Sequence, residues 1–154
     1  MLSIQVTYNE SEVAEIDGYF RDLTTRITDF TPYLLEAAAI LRKSFSTTFE
    51  AQGRPRWAAL SPRYLAWKVR HGYPAAIGRL TGAMRESLIS QGGGAHIEEI
   101  SSTQLIIGTS VFYAGFFHGG TKKMPARPLF QIYPEDIKEL IDNLRLYISK
   151  VEGP

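Results

Sequence analysis

The sequence predicts an α+β fold, in which a small, mainly antiparallel sheet of about four strands packs against three main helices. Stretches with apolar residues every three or four positions alternate with short segments of strand periodicity. Helix-start signals precede the longest apolar stripes, at Asn9, Thr31 and Pro134. The chain has 154 residues with no internal repeat or linker. We therefore expect a single domain spanning 1–154.

A strand and a helix are predicted first. Residues 3–8 alternate apolar and polar side chains, as in a half-buried strand. Asn9 followed by Glu12 is a capping-box pattern that opens a helix. Its apolar positions share one face, which we expect to be buried: Val13, Ile16, Phe20, Leu23 and Ile27.

The second helix is the strongest helical pattern in the chain. Thr31 and Pro32 suit the N-cap and the first turn. The helix is expected to end near Gly53 and to form the centre of the core. Its apolar positions are Leu34, Ala38, Leu41, Phe45 and Phe49.

A long basic and aromatic loop is predicted at about residues 53–80. The stretch 53–82 holds three prolines, four glycines and both tryptophans. Ser61 and Pro62 predict a short helix within it, carrying Leu65 and Lys68. A loop of this length in a compact domain is usually functional.

The remaining elements are short, apart from the last helix. A short helix follows Gly82, two strands at 95–101 and 104–109 are joined by a tight turn, and helical turns are expected within 111–118. The run Leu105 to Ile107 suggests a strand covered on both faces. A final strand is predicted at 129–133. Pro134 starts the last helix, with a buried stripe of Ile137, Ile141, Leu144, Ile148 and Val151.

The composition contains no pattern typical of an enzyme, a metal site or a membrane protein. No cysteine is present, which excludes disulfides and thiolate metal sites. The three histidines lack metal-ligand spacing, and neither a nucleophile elbow nor a phosphate loop occurs. No signal peptide and no apolar run long enough to span a membrane is found. We therefore predict no catalytic residue, no cofactor and no membrane partner.

Charge is unevenly distributed along the chain. Nine of the 17 basic residues but one of the 16 acids lie in 42–85, which gives +8 there and −7 elsewhere. If these charges occupy different surfaces, copies of the chain can pair head to tail. The same basic segment could contact nucleic acid.

Residues 113–130 carry the most distinctive pattern. The segment YAGFFHGGTKKMPARPLF breaks at Gly119-Gly120, exposes two lysines and closes with Arg127 held between two prolines. It resembles the C-terminal half of tailed-phage neck and tail-completion proteins. The phage virion morphogenesis family, which includes Mu-type tail-completion proteins, is the nearest such group, and siphophage neck proteins are more distantly similar.

Two upstream segments fit the same family. The segment beginning at Trp57 and ending at Lys68 is similar to the family's W-x-x-L-[ST] segment, and residues 80–88 are similar to its L-T-x-G segment with one spacer missing. The resemblance covers roughly residues 45–148. The family usually has a polar residue and then an aromatic residue before the glycine, whereas this chain has His118.

The resemblance implies a structural virion protein rather than an enzyme. Such proteins act at the head–tail junction, as tail-completion or terminator proteins or as a neck ring. The implied partners are other copies of the chain in a ring, expected to be a hexamer, together with tail-tube or head–tail connector proteins. Genomic DNA passing through the ring would be a further partner. The expected location is the virion, after assembly in the cytoplasm of the bacterial host.

The predicted interface combines the loop 53–73 with the turn 122–128. Arginine and aromatic residues are those that most often carry binding energy at interfaces. An ordinary core role for the tryptophans, with solvated charges around them, remains open. A nucleic-acid-binding module that uses 42–85 is the alternative function. The candidate interface residues are Arg54, Arg56, Trp57, Lys68, Arg70, Tyr113, His118, Lys122, Lys123 and Arg127.

Overall fold

The computed structural model of the chain describes residues 9–150, except for the side chain of Glu12. The strand expected at 3–8, the stripe residue Val151 and the Glu12 half of the capping box lie outside these described residues. The described elements are α1 (Glu10–Thr28), α2 (Thr31–Glu50), α3 (Pro62–Arg70), α4 (Ala83–Ile89), β1 (His96–Ile100), β2 (Leu105–Thr109), α5 (Ala114–Gly119) and α6 (Pro134–Ser149).

Helix α2 lies at the centre of the fold, as predicted. It packs against α6, α4 and the sheet, and it buries Ala38, Phe45 and Phe49. The helix begins one residue earlier than predicted, because Thr31, the expected N-cap, is itself the first helical residue. The Asp29 carboxylate accepts a hydrogen bond from the Thr31 backbone N–H at 2.9 Å and takes the capping role.

The buried face predicted for α1 is wrong. Asn9 caps the helix as expected, accepting from the Ser11 backbone N–H at 3.0 Å. Four of the five apolar side chains, however, lie at the surface, and Ile16 and Phe20 are 57% and 59% exposed. The fifth, Leu23, is half-buried. Only the C-terminal end of α1 is joined to α6, where Arg26 donates to the backbone carbonyl oxygen of Tyr147 at 3.1 Å.

The stripe of α6 is only partly buried. Leu144 and Ile148 are half-buried, whereas Ile137 and Ile141 are exposed. Glu135 and Asp136 occupy the first turn, where the helix dipole favours acids.

The chain is a mixed helix and strand structure, but the predicted four-stranded sheet is not supported by the described residues. Among residues 9–150, the sheet consists of β1 and β2 only, paired antiparallel from His96 opposite Thr109 to Ile100 opposite Leu105. The tight turn between them forms as predicted. The sheet is not covered on both faces, since Ile106 is exposed.

The segment 129–133 forms no strand. The His118 ring takes up its first backbone N–H groups, because Nδ1 accepts from Leu129 at 3.0 Å and from Phe130 at 3.4 Å. Pro128 and Pro134 at either end have no N–H to donate. The backbone N–H groups of Leu129, Phe130 and, through the Asp136 carboxylate, Tyr133 are therefore used elsewhere.

The core lies between α2, α4, α5 and the segments around residues 57 and 129. Phe49, Trp57 and Phe117 meet edge to face, with centroids 5.5 and 5.2 Å apart. The main buried cluster comprises Phe45, Phe49, Trp57, Ile77, Met84, Leu88, Ala114, Phe117 and Leu129.

The stretch 53–80 is more ordered than a long loop. Ser61 caps α3 by accepting from the Tyr64 backbone N–H at 3.3 Å, as the sequence predicts. The segment after α3 is attached to the core, where the Ile77 backbone N–H donates to the Gln52 side chain at 2.5 Å.

Candidate interaction surface

Two of the predicted interface residues, Trp57 and Arg127, connect distant segments within the chain. The Trp57 indole is 5% exposed, and its Nε1 donates to the Pro128 carbonyl oxygen at 3.2 Å. In return, Arg127 donates from Nε to the Ala58 carbonyl oxygen at 3.0 Å. Burial lowers the pKa of Arg127. Both side chains have internal partners, so we do not include them in the candidate interaction surface.

Lys68 is also internal. Its side chain is 2% exposed, and its Nζ donates to the carbonyl oxygens of Ala76 and Arg79, both at 2.7 Å. Burial lowers the pKa of the ammonium group. These bonds hold the segment after α3 against the helix.

Arg54 joins α2 to the start of α6. It donates to the Ser44 hydroxyl at 2.6 Å and to the Glu135 carboxylate at 2.9 Å. Its guanidinium lies 3.8 Å from the centroid of the Tyr133 ring, and Asp136 is 3.6 Å away. Like His118, Arg54 therefore has a role inside the folded chain.

The other five predicted interface residues are exposed. Lys122 and Lys123 occupy a tight turn in which Thr121 and Met124 exchange backbone hydrogen bonds at 2.8 and 3.2 Å. The turn follows Gly120, which has a φ of 74°. The structure does not bring the five together into one patch by direct contact. They are Arg56, Arg70, Tyr113, Lys122 and Lys123.

Helix α3 carries its apolar residues on the outside. Of its nine residues, Lys68 is the only one buried. Trp67 is 42% exposed and stacks on Tyr64, with centroids 5.7 Å apart and planes 11° apart, and on Tyr73 at 5.6 Å. We call the exposed surface of this helix the α3 face: Arg63, Tyr64, Leu65, Trp67, Val69 and Arg70.

A mainly apolar groove adjoins the α3 face. Its volume is about 370 Å³, and it lies between α3, the segment 78–82 and α5. Phe116 of α5 lines it and is itself half exposed. Other lining residues are Leu60, Tyr64, Leu80, Tyr113 and Met124.

Several charges of the basic segment 42–85 do not contribute to a separate basic surface, because they pair with acids of the same chain. Arg42 pairs with Glu98, Lys43 lies 3.2 Å from Glu139, and Arg85 lies 2.8 Å from Glu86. Among the described residues, the exposed arginines of the basic segment that have no ion pair are Arg56, Arg63 and Arg70. Two of these belong to the α3 face.

A second apolar surface lies on α1 and was missed as an interface by the sequence analysis. Every described side chain from Glu10 to Arg21 is exposed. Spacing of three and four residues is the same for a core stripe and for an interface stripe, so the pattern alone could not separate the two. We call this surface the α1 stripe: Val13, Ile16, Phe20 and Ile27.

The described residues contain no group of three or more His, Asp or Glu side chains that could hold a metal ion. Within residues 9–150, no helix is both long enough and apolar enough to cross a membrane.

Comparison with known proteins agrees with the sequence resemblance. Residues 11–149 match the model of the phage virion morphogenesis family. The chain is 24% identical over 153 residues to the Mu-like prophage FluMu G protein 2 of Haemophilus influenzae (strain Rd), an alignment that covers 95% of this chain and 96% of that protein. It is 30% identical over 125 residues to the putative capsid assembly protein G of Escherichia phage Mu, covering 73% of this chain and 75% of that protein.

No solved structure matches the chain significantly. The family match covers most of the chain, and both relatives are proteins of Mu or a Mu-like prophage. The chain therefore belongs to the phage virion morphogenesis family.

Proposed function

We propose that the protein is a structural component of a tailed phage or prophage that acts at the head–tail junction. It either completes the tail, as a terminator, or forms a neck ring. Family membership supports a role in virion assembly. The observation that carries the proposal is the α3 face, where apolar and aromatic side chains point to solvent while a lysine is buried. Exposed apolar patches of this kind mark protein interfaces.

The proposed working form is a ring of identical subunits, with a hexamer as the expected state. A ring requires a heterologous contact, in which one patch meets a different patch on the next copy. The α3 face and the α1 stripe are two distinct exposed patches on one chain. The remaining partners would be tail-tube or head–tail connector proteins, with DNA passing through the ring. Assembly would take place in the cytoplasm of the host.

A gene-deletion experiment in the encoding phage or prophage tests this proposal. The lysate is examined by electron microscopy, and purified protein is then added back. We expect DNA-filled heads and separate tails, or tails of irregular length, and we expect added protein to restore infectious particles. Normal tails beside defective or absent heads would overturn the proposal in favour of capsid assembly, the role given in the name of the phage Mu relative.

Nucleic-acid binding is a second candidate, which one observation favours. Arg63 and Arg70 have no ion pair among the described residues and flank the exposed Trp67. Phosphate contact combined with base stacking would use these groups. Filter binding of single-stranded and duplex DNA at low and high salt tests this function. Retention that falls steeply with salt and is lost in Arg63→Ala/Arg70→Ala supports it, and no retention at low salt excludes it.

A further inference from the structure

We propose that the α1 stripe of one copy docks on the α3 face of the next copy. This inference rests on the proposed function, because it specifies the contact by which the subunits assemble. It commits to a second copy of this chain as the partner. It also assigns a role to two helices that carry none of their apolar residues in the main buried cluster.

The first half of α1 has no cover within the described chain. Residues 10–21 are exposed wherever their side chains are described, and they extend about 18 Å along the helix axis. Val13, Ile16 and Phe20 nevertheless follow the spacing of a buried face. An amphipathic helix gains most of its stability from packing that face, so a partner that covers this half of α1 would stabilise it.

The α3 face has matching properties. Leu65, Trp67 and Val69 are exposed around a helix whose buried residue is a lysine. Trp67 stacks on both Tyr64 and Tyr73, and these contacts hold the aromatic side chains in place. A surface with side chains already ordered loses less conformational entropy on binding.

The charges of the two helices favour contact between α1 and α3 over contact between two α1 helices or two α3 faces. Residues 9–20 contain four acids and no basic residue, whereas α3 contains three basic residues and no acid. Two α1 helices brought together would place acids beside acids, and two α3 faces would place arginines beside arginines. At 100° per residue, Glu10 and Asp17 lie along one edge of the α1 stripe. Asp17 also pairs with Arg21 of the same helix at 2.5 Å. Glu10 lies about two turns before this pair, so Arg63 and Arg70 of the next copy would meet Glu10 directly and Asp17 in exchange for Arg21.

The contact is directional. Each copy offers one α1 stripe and one α3 face, so every subunit can bind one neighbour on each side. Such an interface continues until it closes into a ring or extends as a filament. The basic segment and the acidic remainder would then meet between copies at this contact, in addition to the ion pairs formed inside each chain.

Cross-linking tests the contact directly, because the chain has no cysteine of its own. Ile16→Cys and Val69→Cys, both at exposed positions, are prepared as separate variants, mixed, and treated with a short bis-maleimide. A matched control replaces Val69→Cys with Thr103→Cys, which lies exposed in the turn of the sheet. We expect a cross-linked dimer in the first mixture, and a ladder of multimers from a chain that carries both Ile16→Cys and Val69→Cys.

A charge exchange provides a second readout. Arg63→Glu/Arg70→Glu should abolish the cross-link, and Glu10→Lys/Asp17→Lys on the partner should restore it. Unchanged far-UV circular dichroism shows that each variant is folded. Restoration is expected only for the complementary combination, since a structural defect in α3 would not be corrected by a change in α1.

The outcomes separate this inference from the proposed function. Absence of the mixed dimer above the Thr103→Cys control overturns the docking of α1 on α3, even where the unmodified protein has the mass of a ring. Cross-linking in the Ile16→Cys variant alone, at the level of the mixture, also overturns it in favour of α1 pairing with α1. The deletion phenotype, in contrast, tests the head–tail role without reference to these residues.

Discussion

The ammonium group of Lys68 lies 2.7 Å from the backbone carbonyl oxygen of Arg79 and donates a hydrogen bond to it. A second bond, also of 2.7 Å, reaches Ala76. A buried charge is tolerated only when such partners satisfy it. Because Lys68 points inward, Trp67, which lies about 100° away around the helix, is directed toward the surface. The same residue therefore attaches the 71–82 segment and sets the orientation of the α3 face.

Replacing Lys68 with methionine should destabilise the fold. Lys68→Met keeps a long side chain but leaves two carbonyl oxygens without a donor, and we expect a loss of about 2–4 kcal/mol in the free energy of unfolding. Urea denaturation followed by circular dichroism measures this change. Arg70→Met, two positions along on the exposed side, is the control and should change stability by less than about 0.5 kcal/mol. Equal effects of the two variants would contradict an internal role for Lys68.

The two tryptophans should differ sharply when truncated. Trp57→Ala removes a buried indole and should cost about 3–5 kcal/mol of stability, since a cavity is left in the core. Trp67→Ala should leave the denaturation midpoint nearly unchanged and reduce self-association instead. Thermal unfolding and light scattering on both variants measure the two effects.

Because of Glu98, the free energy of unfolding should decrease as the pH is lowered. Burial raises the pKa of its carboxyl group, but hydrogen bonds from Gln91, Arg42 and His96 together outweigh burial and lower the pKa below its usual 4.5. A lowered pKa contributes stability above the unfolded-state pKa, and this stability is lost as pH falls through the folded-state value. We expect Glu98→Gln to be less stable at neutral pH and to lose less stability than the parent protein on acidification from pH about 5. Parallel pH profiles of the two proteins would contradict this prediction.

Two adjacent glycines should respond differently to alanine. Gly120 has a φ of 74°, and an added Cβ would lie 2.6 Å from the Ala126 backbone nitrogen. Gly120→Ala should therefore destabilise the protein by more than about 1 kcal/mol. Gly119→Ala, where no atom lies within 4 Å of the added Cβ, should have little effect. Thermal unfolding of the pair tests whether the turn that carries Lys122 and Lys123 depends on this backbone conformation.

The sequence predicted the helices well because their signals are local. Asn9, Ser61 and Pro134 mark helix starts through capping or ring geometry that depends on a few neighbouring residues. The burial of α1 and α3 was not predictable in the same way. Whether an apolar stripe packs inward depends on the whole chain, and whether Lys68 turns inward depends on two carbonyl oxygens that follow it by 8 and 11 residues.

The predictions of the final strand and of several interface residues differ from the structure for a related reason. The strand at 129–133 has strand-like composition, but the side chain of His118 takes its N–H groups. Arg54 and Arg127 have the residue type of interface arginines, but both donate hydrogen bonds to partners distant in sequence. Residue type and spacing can identify candidate interface side chains. Only the folded structure shows which of them still have donor groups that face solvent.

The placement of the two tryptophans gives the protein two optical reporters without any label. Trp57 lies in an apolar core, so its emission should be blue-shifted and insensitive to dissolved iodide. Trp67 stands at the surface beside Arg63 and Arg70, which attract the iodide anion, so its longer-wavelength emission should be quenched readily. Loss of that quenching as protein concentration rises would follow burial of the α3 face, while the Trp57 signal would follow the intactness of each subunit.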